Sequence, residues 1–436
     1  MKQFKRYPKY KDTGIEWLGE IPEGWELKKT KFLSNIFNGD SLNDSQKAKF
    51  SADQLIGTPY ISTKDINVDN AEVCYRNGLT IPVNIKGFKI APNNGTLLCI
   101  EGGSAGKKIA VLNQNVCFVN KLACFIPKSG FDSKFQFYSL QGTLFQTQFS
   151  LGMTGLIGGV ALSLIKEFIM LAPTLTQQIA IAAFLDEKTA KIDKAIAQKE
   201  KMIELLKERK QIIIQNAVTK GIDPKAKMKD SGIEWIGEIP EGWEVKRLKY
   251  ILDERNERSK DGSEPLFMMS QIYGLVIRSD FHEKAEVAST TIGNKRVHKN
   301  DLVFNKLKAH LGVFFKSTIE EVGIVSPDYA VYKSKGIFSD LKYLEILFRH
   351  PAYISIFICK ATGIVEGLIR LYTHDLLSIK VPVPPKRIQL DILEFIETQS
   401  SKIDKAIAIQ EQQIAKLKEY KSILIDNAVT GKIKVC

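Results

Sequence analysis

The chain has 436 residues, 44% of them hydrophobic and 25% charged, with a formal net charge of +13. Such a length supports two or three domains with cores of their own, and the composition is that of an ordinary globular protein rather than a disordered or fibrous one. The positive excess favours a polyanionic partner, nucleic acid ahead of a membrane surface.

The first segment, MKQFKRYPKYKD, is basic and polar with no apolar stretch behind it, so no signal peptide is expected. It leads into an arm, residues 1–26, that contains KDTGIEWLGEIPEGWE at 11–26. A middle segment follows at 27–172. It carries short β-type runs such as Thr96-Leu-Leu-Cys-Ile100, separated by loops rich in Gly, Asn and Lys, and reads as an α/β domain. Its most apolar uncharged run, Leu151 to Ile165, is too short to span a bilayer.

Residues 173–226 read as a long helix. No Pro or Gly occurs between Leu175 and Thr219, Pro173 marks the entry and Gly221 the exit. The apolar residues Ile192, Ile196, Ile203, Leu206, Ile213 and Ala217 follow a 4-3 spacing interrupted by Lys199 and Lys210. A helical run of about 40 residues would reach roughly 60 Å. A break near Thr189, and near Ser400 in the later helix, also fits the pattern.

The chain then repeats itself. Residues 227–244 form a second arm containing KDSGIEWIGEIPEGWE, at an offset of 218, and only Thr13/Ser231 and Leu18/Ile236 differ within the sixteen positions. The middle segment at 245–383 has its own β-type run, Asp301-Leu-Val-Phe304. A second helix at 384–436 opens at Pro384-Pro385 and closes at Gly431. KIDKAIA occurs at 191–197 and at 402–408, and Asn-Ala-Val-Thr at 216–219 and 427–430, both at an offset of 211. The second 4-3 series is Ile403, Ile407, Ile414, Leu417, Leu424 and Ala428, with Gln410 and Lys421 at the two interruptions. Matched seams are what two helices need to pack along their length. A coiled pairing with a second chain, or a plain core helix, would use the same spacing.

The expected fold class is therefore α/β (α+β): two globular domains separated by two long antiparallel helices, with a pseudo-twofold internal repeat. The repeated parts read as scaffold and the divergent middles as the place for two different specificities. The Trp residues at 17, 25, 235 and 243 read as packing anchors of the arms.

These blocks resemble the specificity subunits of type I restriction–modification systems. The resemblance is carried by the doubled arm (Gly14 to Gly19, Ile21-Pro22 and Trp25, with Gly232 to Trp243) and by the Pro-x-x-x-x-Gln helix openings at Pro173–Gln178 and Pro384–Gln389. KIDKAIA and Asn-Ala-Val-Thr belong to the same pattern, as does Pro59-Tyr-Ile-Ser-Thr-Lys-Asp-Ile66 in the first middle. Pro265-Leu-Phe-Met-Met-Ser270 departs from that last pattern in the second. The resemblance implies two target-recognition domains, each reading half of a split double-stranded DNA site, held in opposed orientation by the helices. It also implies docking of two modification (methyltransferase) subunits and association with ATP-dependent restriction subunits. The chain itself would then be non-catalytic, cytoplasmic and free of membrane contact. S-adenosylmethionine, ATP and Mg would belong to the partners, with no cofactor in this subunit.

Candidate DNA contacts are Tyr60, Ser62 and Lys64 in the Pro59–Ile66 motif; Ser104, Lys107 and Lys108 in a Gly-rich loop; Lys306, Lys308 and His310 at the comparable place in the second half; and Thr154 and Thr362 in matched Gly-containing loops. Basic side chains and backbone amides in such loops suit phosphates and base edges. A solvated basic loop or a tight structural turn is the alternative for each.

The motifs of catalysis are weaker. No Asp/Asn-Pro-Pro-Tyr/Phe tetrapeptide occurs. Gly102-Gly-Ser-Ala-Gly-Lys107 is one residue short of a phosphate-cradling loop, and Lys108 replaces its Ser/Thr. Pro327-Asp328 with Asp340-Leu-Lys342 is a formal nuclease pattern that ordinary surface residues produce equally well. Cys74, Cys99, Cys117, Cys124, Cys359 and Cys436 form no C-x-x-C pair and read as reduced thiols. A stand-alone nuclease or methyltransferase, and a helical interaction protein without a DNA role, are the rival readings.

Overall fold

Each arm folds as a small hairpin. Tyr10–Asp12 pairs antiparallel with Glu20–Pro22, and Met228–Asp230 with Glu238–Pro240. The same local bond holds both reversals: the Gly14 amide donates to Asp12 Oδ1 at 3.1 Å and the Gly232 amide to Asp230 Oδ1 at 2.9 Å, the turn that an Asp side chain makes two residues on. Ile21 and Trp25 in one arm, and Ile239 and Trp243 in the other, are buried. Trp235 packs edge-on against Tyr353 with ring centroids 4.8 Å apart. This computed structural model describes residues 4–16, 18–51, 56–155, 158–281, 291–363 and 370–435, with the side chains of residues 309 and 310 left aside; Trp17 and Cys436 lie outside the described residues.

The chain divides into two compact units, Met1–Lys201 with Gln410–Cys436, and Met202–Ile409. This cut differs from the sequential one drawn from the repeats. Each unit takes the first part of the helix that follows its own domain and the last part of the other helix, so neither helix is a domain by itself.

Both units contain the same antiparallel four-stranded sheet. In the first its order is Ser34–Asn38, Leu122–Pro127, Thr96–Cys99, Ile109–Val111; in the second it is Leu252–Glu254, Tyr329–Ser334, Leu302–Asn305, Phe314–Lys316. A two-stranded ribbon opens and closes each domain. Glu26–Lys29 pairs with Ile169–Ala172, and Glu244–Arg247 with Lys380–Val383, which brings the chain out where each long helix begins. A second group of strands covers the other side of the core. Gly57–Ile61 runs parallel to Val116–Phe118, with Tyr60 opposite Cys117. The divergent Pro265–Ser270 stretch keeps this topology, since Leu266 bridges Ile324 in parallel.

The long helices span Leu175–Lys220 (46 residues) and Lys386–Val429 (44 residues) without interruption. The break considered at Thr189 does not occur. The buried Thr189 hydroxyl donates to the Leu185 carbonyl one turn back at 2.7 Å and meets the Tyr138 hydroxyl at 3.2 Å, so the polar group is satisfied inside a continuous helix. Both helix openings are pinned by a buried Gln. Gln178 Nε2 donates to the carbonyls of Pro173 (2.8 Å) and Gly130 (3.2 Å), and its Oε1 accepts from the Asp132 amide at 2.8 Å. Gln389 repeats the set with Pro384 (2.8 Å), Ile337 (3.3 Å) and the Ser339 amide (2.8 Å). The Pro-x-x-x-x-Gln spacing is thus a device that ties the first helical turn to the domain before it.

The helix ends are seated just as symmetrically. In unit 2, Ala217 and Val218 enter the core, and the Tyr343 hydroxyl donates to the Val218 carbonyl at 2.8 Å. In unit 1, Leu424, Ile425, Ala428 and Val429 enter the core, and the Tyr10 hydroxyl donates to the Gly431 carbonyl at 2.9 Å. Thr219 and Thr430 each close their last turn by donating to the carbonyl four residues back, Gln215 at 2.7 Å and Asp426 at 2.6 Å.

Candidate nucleic-acid interface

In each domain the connection after the strand Thr96–Cys99, or its counterpart Leu302–Asn305, carries basic residues on a hairpin of the central sheet. Lys107 is exposed and Ser104 half-buried. Lys108 is turned inward, its Nζ donating to the Thr63 carbonyl at 2.7 Å. Lys308 is exposed and Lys306 half-buried, while the His310 side chain lies outside the described residues. Thr154 and Thr362 are exposed, each in an antiparallel bridge, with Gly159 and Arg370 respectively.

The Pro59–Ile66 motif is mostly framework. Tyr60 is only 3% exposed and its hydroxyl donates to the Asp40 carbonyl at 2.6 Å. Burial pushes its pKa up to about 12. It is a core residue rather than a base contact, because strand alternation turns it inward. Ser62 is also committed, its amide donating to Asp65 Oδ2 at 2.8 Å. Lys64 alone of the three is exposed.

A cleft of about 780 Å³ lies beside the Thr154 loop, lined by Asn38, Glu101, Asn120, Thr154 and Ser163 among others. Glu101 pairs with Lys121 at 3.3 Å. Sequence reasoning missed Asn38, Glu101 and Asn120, which carry no motif and converge only when three strands fold together.

The second domain holds a charge cluster that was missed for the same reason. Glu254 Oε1 lies 3.1 Å from Lys295 Nζ and 3.8 Å from Lys306 Nζ. The Lys295 side chain is 4% exposed, Lys306 16% and Glu254 21%. Burial, the neighbouring Lys295 ammonium and, more weakly, Arg370 hold the Lys306 pKa below the usual lysine value, against the pull of Glu254. Arg370 Nη2 in turn donates to Asp328 Oδ1 at 2.6 Å.

Along the helices, all sixteen positions of the two 4-3 series are buried or half-buried. Ile192, Ile196, Ala217, Ile403, Leu424 and Ala428 are the buried ones; Ile203, Leu206, Ile213, Ile407, Ile414 and Leu417 are half-buried. The polar interruptions are paired with the facing helix. In unit 1, Lys421 Nζ meets Asp193 Oδ1 at 2.7 Å; in unit 2, Lys210 Nζ meets Asp404 Oδ2 at 2.7 Å. These are the same pair at repeat-equivalent positions; within unit 1, Asp193 meets Lys421 and Lys199 meets Gln410, so the helix segments there run antiparallel.

The residues of the formal nuclease pattern are engaged separately. Asp328 is held by Arg370, Asp340 by Lys316 at 2.8 Å, and Lys342 by Glu345 at 2.6 Å. Gly102 to Lys107 is the turn of a β-hairpin, with Ile109–Val111 after it, and it lacks the helix that follows a phosphate-cradling loop. Among the described residues no group of three or more His, Cys, Asp or Glu side chains is arranged to hold a metal ion, and no helix is long and apolar enough to cross a membrane. The thiols of Cys117 and Cys124 are pushed up by burial to about 11 and about 12.

Residues 22–205 match the family profile described as the type I restriction modification DNA specificity domain. Over nearly its whole length the chain is similar to the MjaVIII specificity subunit of Methanocaldococcus jannaschii, at 24% identity covering 95% of this chain and 94% of the relative. It is 21% identical to the EcoKI specificity subunit of Escherichia coli, covering 95% and 90%. Among solved structures, a chain from a study of assembly and conformational transition in the type I R-M system aligns with a TM-score of 0.66 at 13% identity, covering 95% of this chain and 99% of that one. The HsdS subunit from Thermoanaerobacter tengcongensis aligns with a TM-score of 0.52 at 14% identity, covering 97% and 100%. At these identities the structural likeness concerns the fold.

Proposed function

Because the chain belongs to the specificity-subunit family of type I restriction–modification systems, we propose that it selects a two-part double-stranded DNA site, one half through each domain, and scaffolds the subunits that act there. The carrying observation is that one sheet framework occurs twice, in the same strand order, with different side chains around matched loops. A protein that reads two different half-sites needs this division between a constant frame and a variable surface.

In this reading the helix pair docks two modification subunits, which bring S-adenosylmethionine and the methyl-transfer chemistry. Restriction subunits bring ATP and Mg. The chain itself holds no catalytic centre or cofactor and works in the cytoplasm without membrane contact. The exposed Lys64, Lys107 and Lys308 meet phosphates, with Ser104, Thr154 and Thr362 at the edges of the contact surface. The +13 charge suits such a partner.

The test is reconstitution with the modification subunits and mapping of the methylated motif. Replacing residues 27–172 with the equivalent domain of a related subunit is expected to change one half of that motif and leave the other intact. A change in both halves, or in neither, would remove the split-reading model. Methylation or cleavage by the purified chain alone, with S-adenosylmethionine or Mg and DNA, would favour a stand-alone enzyme instead.

A further inference from the structure

The backbone register makes the two domains comparable residue by residue. Phe125 lies opposite both Thr96 and Ile36, and Tyr332 lies opposite both Leu302 and Glu254. The Val160 amide donates to the Ile100 carbonyl at 3.0 Å and the Leu371 amide to the Lys306 carbonyl at 3.0 Å. The bridges Thr154–Gly159 and Thr362–Arg370 precede them in the same order. Ile36, Ile100, Phe125 and Gly159 of the first domain are therefore the counterparts of Glu254, Lys306, Tyr332 and Arg370 in the second.

The first set is apolar: Ile36 and Ile100 are 7% exposed and Phe125 is fully buried, all in one hydrophobic cluster. The second set is charged and hydrogen-bonded, with Tyr332 donating to Thr373 Oγ1 at 3.1 Å. An apolar solution for this place thus exists within the same chain, so the fold does not require charge there. Among the described residues the charges are also incompletely matched. Lys295, Lys306 and Arg370 face Glu254 and Asp328; Asp328 serves Arg370, and Lys295 takes the shared Glu254 oxygen at hydrogen-bond distance. Lys306, at 3.8 Å from that oxygen, makes an ion pair beyond hydrogen-bond length. A half-buried ammonium with open donors gains when an acceptor is brought to it.

We propose that Lys306, flanked by Arg370 and positioned by the Lys295–Glu254 pair, is a DNA contact particular to the second domain, donating to a clustered hydrogen-bond acceptor of DNA. Guanine, through O6 and N7, and a backbone phosphate both present that chemistry. The first domain, with Ile100 at the same place, has no such donor and reads its half by other groups. This inference rests on the DNA-specificity reading above.

The experiment uses the full chain assembled with its modification subunits, and compares wild type with Lys306→Ile. That variant installs the first domain's own residue and leaves the Lys295–Glu254 pair balanced. Lys306→Gln and Arg370→Gln are measured beside it, so one poorly folding variant does not end the test. The readouts are the methylated motif, DNA affinity over a salt series and the thermal midpoint. A guanine contact predicts affinity for the native site lowered roughly ten- to a hundredfold, with one position of the second half-site relaxed and the first half unchanged. A phosphate contact predicts a uniform loss across sequences, an unchanged motif and a salt slope smaller by about one. Folded variants with wild-type motif, affinity and salt slope would overturn the proposal, as would a change confined to the first half-site. A wild-type assembly that binds no DNA selectively would instead remove the reading on which the proposal rests.

Discussion

Gly431 and Gly221 stand one position out of register in the repeat, but each follows a helix end and rests on the Pro and Trp of an arm, and the structure predicts unequal costs for filling them. Both have left-handed backbones, with φ of +74° and +79°, so Ala at either costs about 1–2 kcal/mol of backbone strain. At Gly221 that is nearly the whole cost: a Cβ would stand 3.4 Å from Trp243 Cζ2 and 3.5 Å from Pro240 Cγ, ordinary contact distances. At Gly431 a Cβ would stand 2.5 Å from Pro22 Cγ, 2.6 Å from Pro22 Cδ and 3.2 Å from Trp25 Cη2. Neither the proline ring nor the buried Trp25 can swing away, so overpacking adds about 1–3 kcal/mol. Gly431→Ala is thus expected to destabilise unit 1 by about 2–5 kcal/mol and Gly221→Ala to destabilise unit 2 by about 1–2 kcal/mol. For a domain of this size each kcal/mol lowers the thermal midpoint by about 2–4 °C. Differential scanning calorimetry of both variants against the parent reads the difference. Equal shifts, or a larger one for Gly221→Ala, would refute the seating of the C-terminal turn on the first arm.

Gln178→Ala and Gln389→Ala each leave two carbonyls and one amide without their side-chain partner, and about 2–4 kcal/mol of lost stability is expected from unfolding curves. Ile414→Glu puts a carboxylate into the half-buried seam of unit 1; about 1–3 kcal/mol of destabilisation and weakened assembly are expected in sedimentation, and Ile203→Glu is its equivalent in unit 2. Gln410→Lys sets an ammonium against Lys199, and a loss of about 1 kcal/mol is expected at low ionic strength, fading in molar salt. In native alkylation at pH 8 followed by mass spectrometry, the exposed Cys74 and Cys359 are expected to react. Cys117 and Cys124 are buried with raised pKa values and stay protonated until the pH approaches about 11 and about 12, so they are expected to resist.

What the sequence discloses is what it says twice. The helices, their shared spacing and the arms were legible because the same residues recur at two fixed offsets. The role of the buried Gln was not. Gln178 bonds to Gly130 and Asp132, and Gln389 to Ile337 and Ser339, partners that lie some fifty residues earlier in stretches without repeated sequence. The seating of the C-terminal turn beside the first arm was hidden for a like reason, since the Tyr10–Gly431 bond joins opposite ends of the chain. Tyr60 was misjudged because a motif match says nothing of which way a strand residue faces. The Lys306 cluster draws on five separate parts of the second domain, and only strand register shows that the first domain fills the same place with apolar groups.

The helix pair shows how a repeated sequence solves a problem that repetition itself creates. When two copies of one helix pack antiparallel, a position on one side of the crossing meets its counterpart on the other, and some position must meet itself. Away from that point opposite charges can be written into the repeat, and they are: Asp193 with Lys421 and Lys210 with Asp404 satisfy one rule twice. At the point itself no repeated charge can work, because Lys would face Lys. Lys199 and Gln410 are counterparts at an offset of 211, and they face each other, Lys199 Nζ donating to Gln410 Oε1 at 3.2 Å and also to Gln413. The repeat is broken at the one seam position where keeping a lysine would cost stability, and Gln keeps the hydrogen bond without the like charge. The same logic separates frame from surface in the two domains. Strand order and register are kept in both, while the side chains set on that frame differ, with Ile36 and Ile100 standing where the second domain has Glu254 and Lys306.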